Sequence, residues 1–168
     1  DKKKITSHGR RIASMPCHPR IAQMLCIAEN NAQKALAADV AAILEEKDPM
    51  ANDTGIGSDI NYRIEELRRI RSSQQLTKRW ERISKNAEHY SKLVHAKTNN
   101  DAFDHYDTGL LIAAAFPERI ACCVNTGQCL YRLANGEQAK VEQSDEITSY
   151  SWIAIANINL PKNQTGRI

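Results

Sequence analysis

The sequence predicts a mostly α chain, a helical bundle followed by a small antiparallel β-unit. Three observations carry this. Apolar residues recur at helical spacing over most of the stretch from Pro19 to Val94. An almost wholly apolar run, Thr108 to Phe116, is closed by Pro117. Beyond it the period changes to alternation around an Asn135-Gly136 pair. The length of 168 residues and 42% hydrophobic content suit one domain or two small ones.

Thr6 is placed to cap a first helix, Pro16 to stop it, and Pro19 to pre-set the backbone for the first turn of a second. In that second helix Ile21, Met24, Leu25 and Ala28 share one face. Leu36, Val40, Ile43 and Leu44 do the same in the next, with alanines between them and Asp48-Pro49 as its end. The turn-rich stretch Asn52 to Gly57 then delivers Ser58 as N-cap of a helix that turns Ile60, Ile64 and Leu67 inward. Leu76, Trp80, Ile83, Ala87, Tyr90 and Val94 form a seam with alternating intervals of four and three, which assigns both aromatics to the core. Because the run Thr108–Phe116 is apolar nearly all round, it is expected to be the central helix of the bundle, covered on most sides.

Cys129 to Ala134 and Glu137 to Val141 flank Asn135-Gly136, the signature of a hairpin with a tight type I′ turn. A third strand is expected within Trp152 to Ile158.

Several classes are disfavoured. The five cysteines, Cys17, Cys26, Cys122, Cys123 and Cys129, are odd in number and never spaced C-x-x-C, which argues against a disulfide framework or zinc ribbon and for a reduced, cytoplasmic setting. No apolar run reaches the roughly 18 residues of a membrane span, so no membrane partner is expected. Cys17-His18, the Cys122-Cys123-Cys129 group and His105 among Asp101, Asp104 and Asp107 lack the ligand spacing or partners of a metal or acid-base site. No catalytic or metal-ligating residue is assigned. The chain starts without methionine and stops just past a strand-like segment, so a piece of a longer protein is expected.

Charge is unevenly spread. Residues 63–97 hold ten Lys or Arg against four acids in a chain whose net charge is +3. A polyanion is the natural partner for such a concentration.

Four ordered segments carry a resemblance to a known family. Ile5 to Leu25, with its Pro16-Cys17-His18-Pro19 corner, resembles the entry to the helicase-associated region of DEAH-box type ATP-dependent RNA helicases, particularly their bacterial HrpB branch. Asp39 to Pro49 is similar to a second-helix signature of that branch, and Gly109 to Ala121 to the helix leading out of the bundle. Tyr131 to Gly136 resembles the first hairpin of the β-domain that follows.

The resemblance implies a winged-helix remnant over 1–18, a ratchet-like helical bundle over 19–117, and the start of an OB-like, truncated β-domain over 118–168. It also implies two RecA-like ATPase lobes elsewhere in the same protein. ATP and Mg2+ belong to those lobes, and no cofactor is expected here, since the chain has neither a G-x-x-x-x-G-K-[ST] loop nor an Asp-Glu-x-His run. The job implied for this segment is to grip single-stranded RNA, with DNA as the alternative, through Lys and Arg on phosphate. Arg68, Arg69, Arg71, Arg79 and Arg82 are the candidates, because their helices already have apolar faces assigned to the core. The competing reading is a helical protein-interaction module with a basic docking surface.

Overall fold

In the computed structural model, which describes residues 4–51, 53, 55–75, 77–158 and 166–167, six α-helices precede a small sheet. Helix α1 (Ser7–Ser14) is capped as expected, Thr6 accepting from the Gly9 N–H. Helix α2 (Pro19–Ile27) starts with Pro19 in its first turn, and His18 caps it by accepting the Arg20 N–H on Nδ1.

Helix α3 (Asn31–Leu44) is the centre of the bundle, with every residue from Ala35 to Ile43 buried. Its alanines present little bulk on any side, so neighbouring helices can approach closely. It packs against α2, α4, α5 and α6, and it ends at Leu44, before the Asp48-Pro49 stop expected for it. Helix α4 (Ile60–Ser73) is capped by Asp59 rather than by Ser58. Ser58 instead donates its N–H and hydroxyl to the Asp145 carboxylate, at 2.6 Å each. In α5 (Lys78–Leu93) the expected seam is buried at Trp80, Ile83, Ala87 and Tyr90, and at the capping Val94, while Leu76 lies outside the described residues.

Helix α6 (His105–Ala115) corrects the expected centre of the bundle. Only Thr108, Leu111, Ile112 and Ala115 are buried, a single face, and Tyr106 and Leu110 remain 72% and 65% exposed. An all-apolar run has no pattern from which to tell its inner face, and the alanine-rich α3 is the helix that fits inside.

The sheet has the order β4-β1-β2-β3-β5. Its members are β1 (Ile120–Asn125), β2 (Leu130–Leu133), β3 (Gln138–Lys140), β4 (Trp152–Ala154) and β5 (Gly166–Arg167). All neighbours are antiparallel except the short β3–β5 pair. The mostly α fold with a small, largely antiparallel sheet after it is borne out. β1 and β5 are additional to the three expected strands, and β4 stops four residues short of Ile158.

The hairpin lies where Asn135-Gly136 placed it, but the turn is of another type. The Gly136 N–H donates to Leu133 O, and among Ala134, Asn135 and Gly136 only the glycine has positive φ (+88°). That is a type I turn followed by a glycine bulge, which needs one left-handed residue where type I′ needs two.

Two apolar clusters result, one within the helices and one around Tyr131 inside the sheet. Tyr131 is fully buried and donates its hydroxyl to Tyr150 O at 2.7 Å. Polar contacts join the two parts. Asp145 holds Ser58, and a Cβ on Gly57 would lie 2.5 Å from Asp145 Oδ1, so a larger residue there would displace the carboxylate that Ser58 bonds. The Tyr62 hydroxyl donates to Glu146, whose hydrogen bond and charge, together with partial burial, push the phenol up to about 12. Arg20 and Arg119 lie over the Phe116 ring at 5.1 and 4.9 Å. Arg20 also pairs with Glu118 at 2.7 Å.

Candidate nucleic-acid interface

The basic stretch divides between two helices that use their cations in opposite ways. On α4, Arg68 and Arg71 reach back to Asp39, a carboxylate only 1% exposed in the middle of α3. Arg68 Nε donates to Asp39 Oδ2 at 2.9 Å and Nη1 to Asp101 O at 2.6 Å, with the guanidinium 4.7 Å from the Phe103 ring centre. Arg71 donates to both Asp39 oxygens, at 2.7 and 3.2 Å, and also to Asn99 O and the Asn100 side chain. Two guanidinium groups thus share one buried anion, and loop oxygens of Asn99, Asn100 and Asp101 accept further bonds from them.

The expectation that Arg68 and Arg71 belong to an accessible phosphate-binding face is therefore corrected. Their side chains are 5% and 7% exposed and committed to the bundle. Arg63, a turn earlier, is likewise drawn in, forking onto both Asp48 oxygens and bonding Asp59 O. Burial pushes the Asp48 carboxyl up. Hydrogen bonds from Arg63 and the Met50 N–H, with the fields of Arg63 and Arg79, outweigh that and hold it below its ordinary value.

The other three candidates are exposed. Arg69 makes a bidentate pair with Glu66, one turn back on the same helix. The pair raises the guanidinium pKa and lowers that of the carboxyl. Arg79 reaches Pro49 O at 3.3 Å, and Arg82 pairs with Glu46.

Helix α5 adds cations outside the expected set. Lys78, Lys85 and Lys92 are exposed, and with Arg82 and His89 they follow intervals of four and three. At roughly 100° per residue this line falls opposite the seam of Trp80, Ile83, Ala87 and Tyr90. The signal was in the sequence, as the complement of the apolar seam. Lys85 bonds Glu81 at 2.7 Å, which raises the amine and lowers the carboxyl. Among the described residues no group of three His, Cys, Asp or Glu could hold a metal ion, and no helix is long and apolar enough to cross a membrane.

No family model matches the chain. Over 152 residues it is 33% identical to the ATP-dependent RNA helicase HrpB of Escherichia coli (strain K12), a match that takes in 89% of the chain. It is homologous to part of HrpB. The chain spans only 16% of that protein's length. The crystal structure of the E. coli DExH-box NTPase HrpB superposes with a TM-score of 0.71 and 25% identity, covering 97% of this chain and 18% of that one. A second structure, of the E. coli DEAH/RHA helicase HrpB, gives 0.67 and 26%, covering 91% and 17%. Identity and shape agree along nearly the whole chain, which fits a C-terminal region of an HrpB-like helicase. The resemblance carried by the Pro16–Pro19 corner and the later segments is thereby borne out.

Proposed function

We propose that this chain is an accessory, nucleic-acid-gripping region of a cytoplasmic ATP-dependent RNA helicase. In this reading RecA-like lobes of the same protein bind ATP and Mg2+, hydrolyse the nucleotide and lie against this region. A single strand of RNA is held on the outward cations while the lobes move. The observation that supports the reading best is the outer face of α5, where cations lie opposite a buried seam in a chain homologous to part of an RNA helicase. Of the five candidate arginines, Arg69, Arg79 and Arg82 are the ones able to reach phosphate, since these three are exposed. Long side chains on a rigid helix suit a sequence-independent grip.

Fluorescence anisotropy with a labelled single-stranded RNA, titrated at rising salt, tests this. Binding at low salt that falls steeply as salt rises is expected. The triple variant R69A/R79A/R82A should bind more weakly to every sequence tried. No detectable binding of the unmodified chain at low salt would remove the grip while leaving the homology intact.

A second reading, a protein-interaction module, draws on a different surface. A cleft of about 1130 Å³ lies between α6, β4 and the start of α4. Exposed Tyr106, Leu110, Tyr150 and Trp152 border it. Such an apolar surface suits protein rather than phosphate.

A further inference from the structure

Resting on the reading of an RNA grip, we infer that the lysine line of α5 is a phosphate track, with Lys78, Lys85 and Lys92 as its principal contacts and the RNA bases turned away from the protein. Geometry supplies the first argument. The three lysines stand on one continuous helix, with Arg82 and His89 filling the intervals. Fourteen residues separate the ends, about 21 Å at a rise of roughly 1.5 Å per residue. One strand of a stacked nucleic acid presents a phosphate about every 3.4 Å of axis, so the line can meet several in succession.

The second argument is chemical. Binding through bases needs exposed rings for stacking. Other than His89, the aromatic side chains of α5 are Trp80 and Tyr90, which are 7% and 5% exposed and packed in the bundle. His89 lies against Tyr90 with ring centres 5.8 Å apart in an edge-on arrangement. What the face offers is charge, and a charged line reads phosphates, which are the same under every base.

The acids set a border. Glu81 and Glu88 are exposed on one flank of the line, while the other carries Asn86 and Arg79. A strand is repelled from the first flank and tolerated on the second, so the track is bounded along the helix axis. Two of the cations are already engaged, Arg82 with Glu46 and Lys85 with Glu81. The Lys85 pair is exposed, and such pairs are weak enough for a phosphate to displace. Arg82 leans toward the half-buried Glu46, which makes it a lesser contact than the lysines.

The test is the slope of log affinity against log salt for the whole chain, measured by anisotropy on labelled oligo(U), oligo(A) and oligo(C). The variant K78Q/K85Q/K92Q keeps helix-compatible, exposed side chains, and circular dichroism verifies its fold. Its slope should be shallower by about 2, from roughly 0.7 per single-strand phosphate contact, with equal loss on all three oligomers. The variant K78R/K85R/K92R should restore the slope. An unchanged slope in the glutamine variant, while the unmodified chain binds, overturns the track and leaves the grip standing elsewhere. Loss confined to one base overturns the phosphate-only mode. No binding by the unmodified chain overturns both the track and the grip on which it rests.

Discussion

Helices α4 and α5 are neighbours and both rich in basic residues, all arginine on α4 and mostly lysine on α5, and they place those charges in opposite environments. α4 turns Arg63, Arg68 and Arg71 toward acids on or just after α3, where the cations brace the bundle. α5 leaves Lys78, Arg82, Lys85 and Lys92 in solvent, where the same charges can serve a polyanion. The difference teaches that a run of positive residues does not define a positive surface. The field a partner meets depends on which guanidinium groups have already been neutralised inside the protein.

The strongest way to break this comparison is to remove the anion that α4 depends on. Asp39→Ala leaves Arg68 buried beside Arg71 with no carboxylate, and should destabilise the fold by about 3–5 kcal/mol, a large share of a typical total. Urea denaturation measures it. A loss near zero would mean that the arginines find water instead, and that α4 is not inward-committed.

A smaller effect is expected at Asp48, whose carboxyl is partly exposed. Asp48→Asn should cost about 1 kcal/mol or less at neutral pH, discounted for solvent screening. The sign of the pH dependence follows from its lowered folded-state pKa. The stabilisation is present above the ordinary value of 3.8 and is lost as pH falls through the lower folded value. The unfolding midpoints of parent and variant should therefore converge below pH 3.8, and a gap that persists or widens there would show that charge is not the cause.

The smallest effect belongs to α5. Glu81 and Lys85 are fully exposed, so Glu81→Gln should leave the thermal midpoint within error, while freeing Lys85 for phosphate. A clear drop in the midpoint would make α5's outer face structural as well, and would erase the contrast with α4.

Much of the fold was legible in residues close together in sequence. Thr6, Pro16 and Pro19 bounded the first two helices because caps and proline act over one turn. The seam from Trp80 to Val94 was readable because polar residues interrupt it at helical spacing. Where that contrast was missing, the reading failed. α6 is apolar on both sides, so its exposed Tyr106 and Leu110 could not be separated from its buried Leu111 and Ile112. An aspartate set between Ala38 and Val40, in the otherwise apolar stretch from Ala35 to Leu44, was the one local sign of the buried ion cluster.

By itself, then, the sequence determined the helical bundle, the hairpin at Asn135-Gly136, and the ordered segments that resemble the HrpB branch. All of these are written in local periodicity, turn chemistry or spelling. Tertiary structure alone decided which helix lies at the centre and which arginines are free. Asp39 meets Arg68 and Arg71 across 29 and 32 residues of chain, and Asp145 meets Ser58 across 87. Such pairings depend on how helices stack, and a side chain's periodic position on its own helix does not disclose which charge will face it.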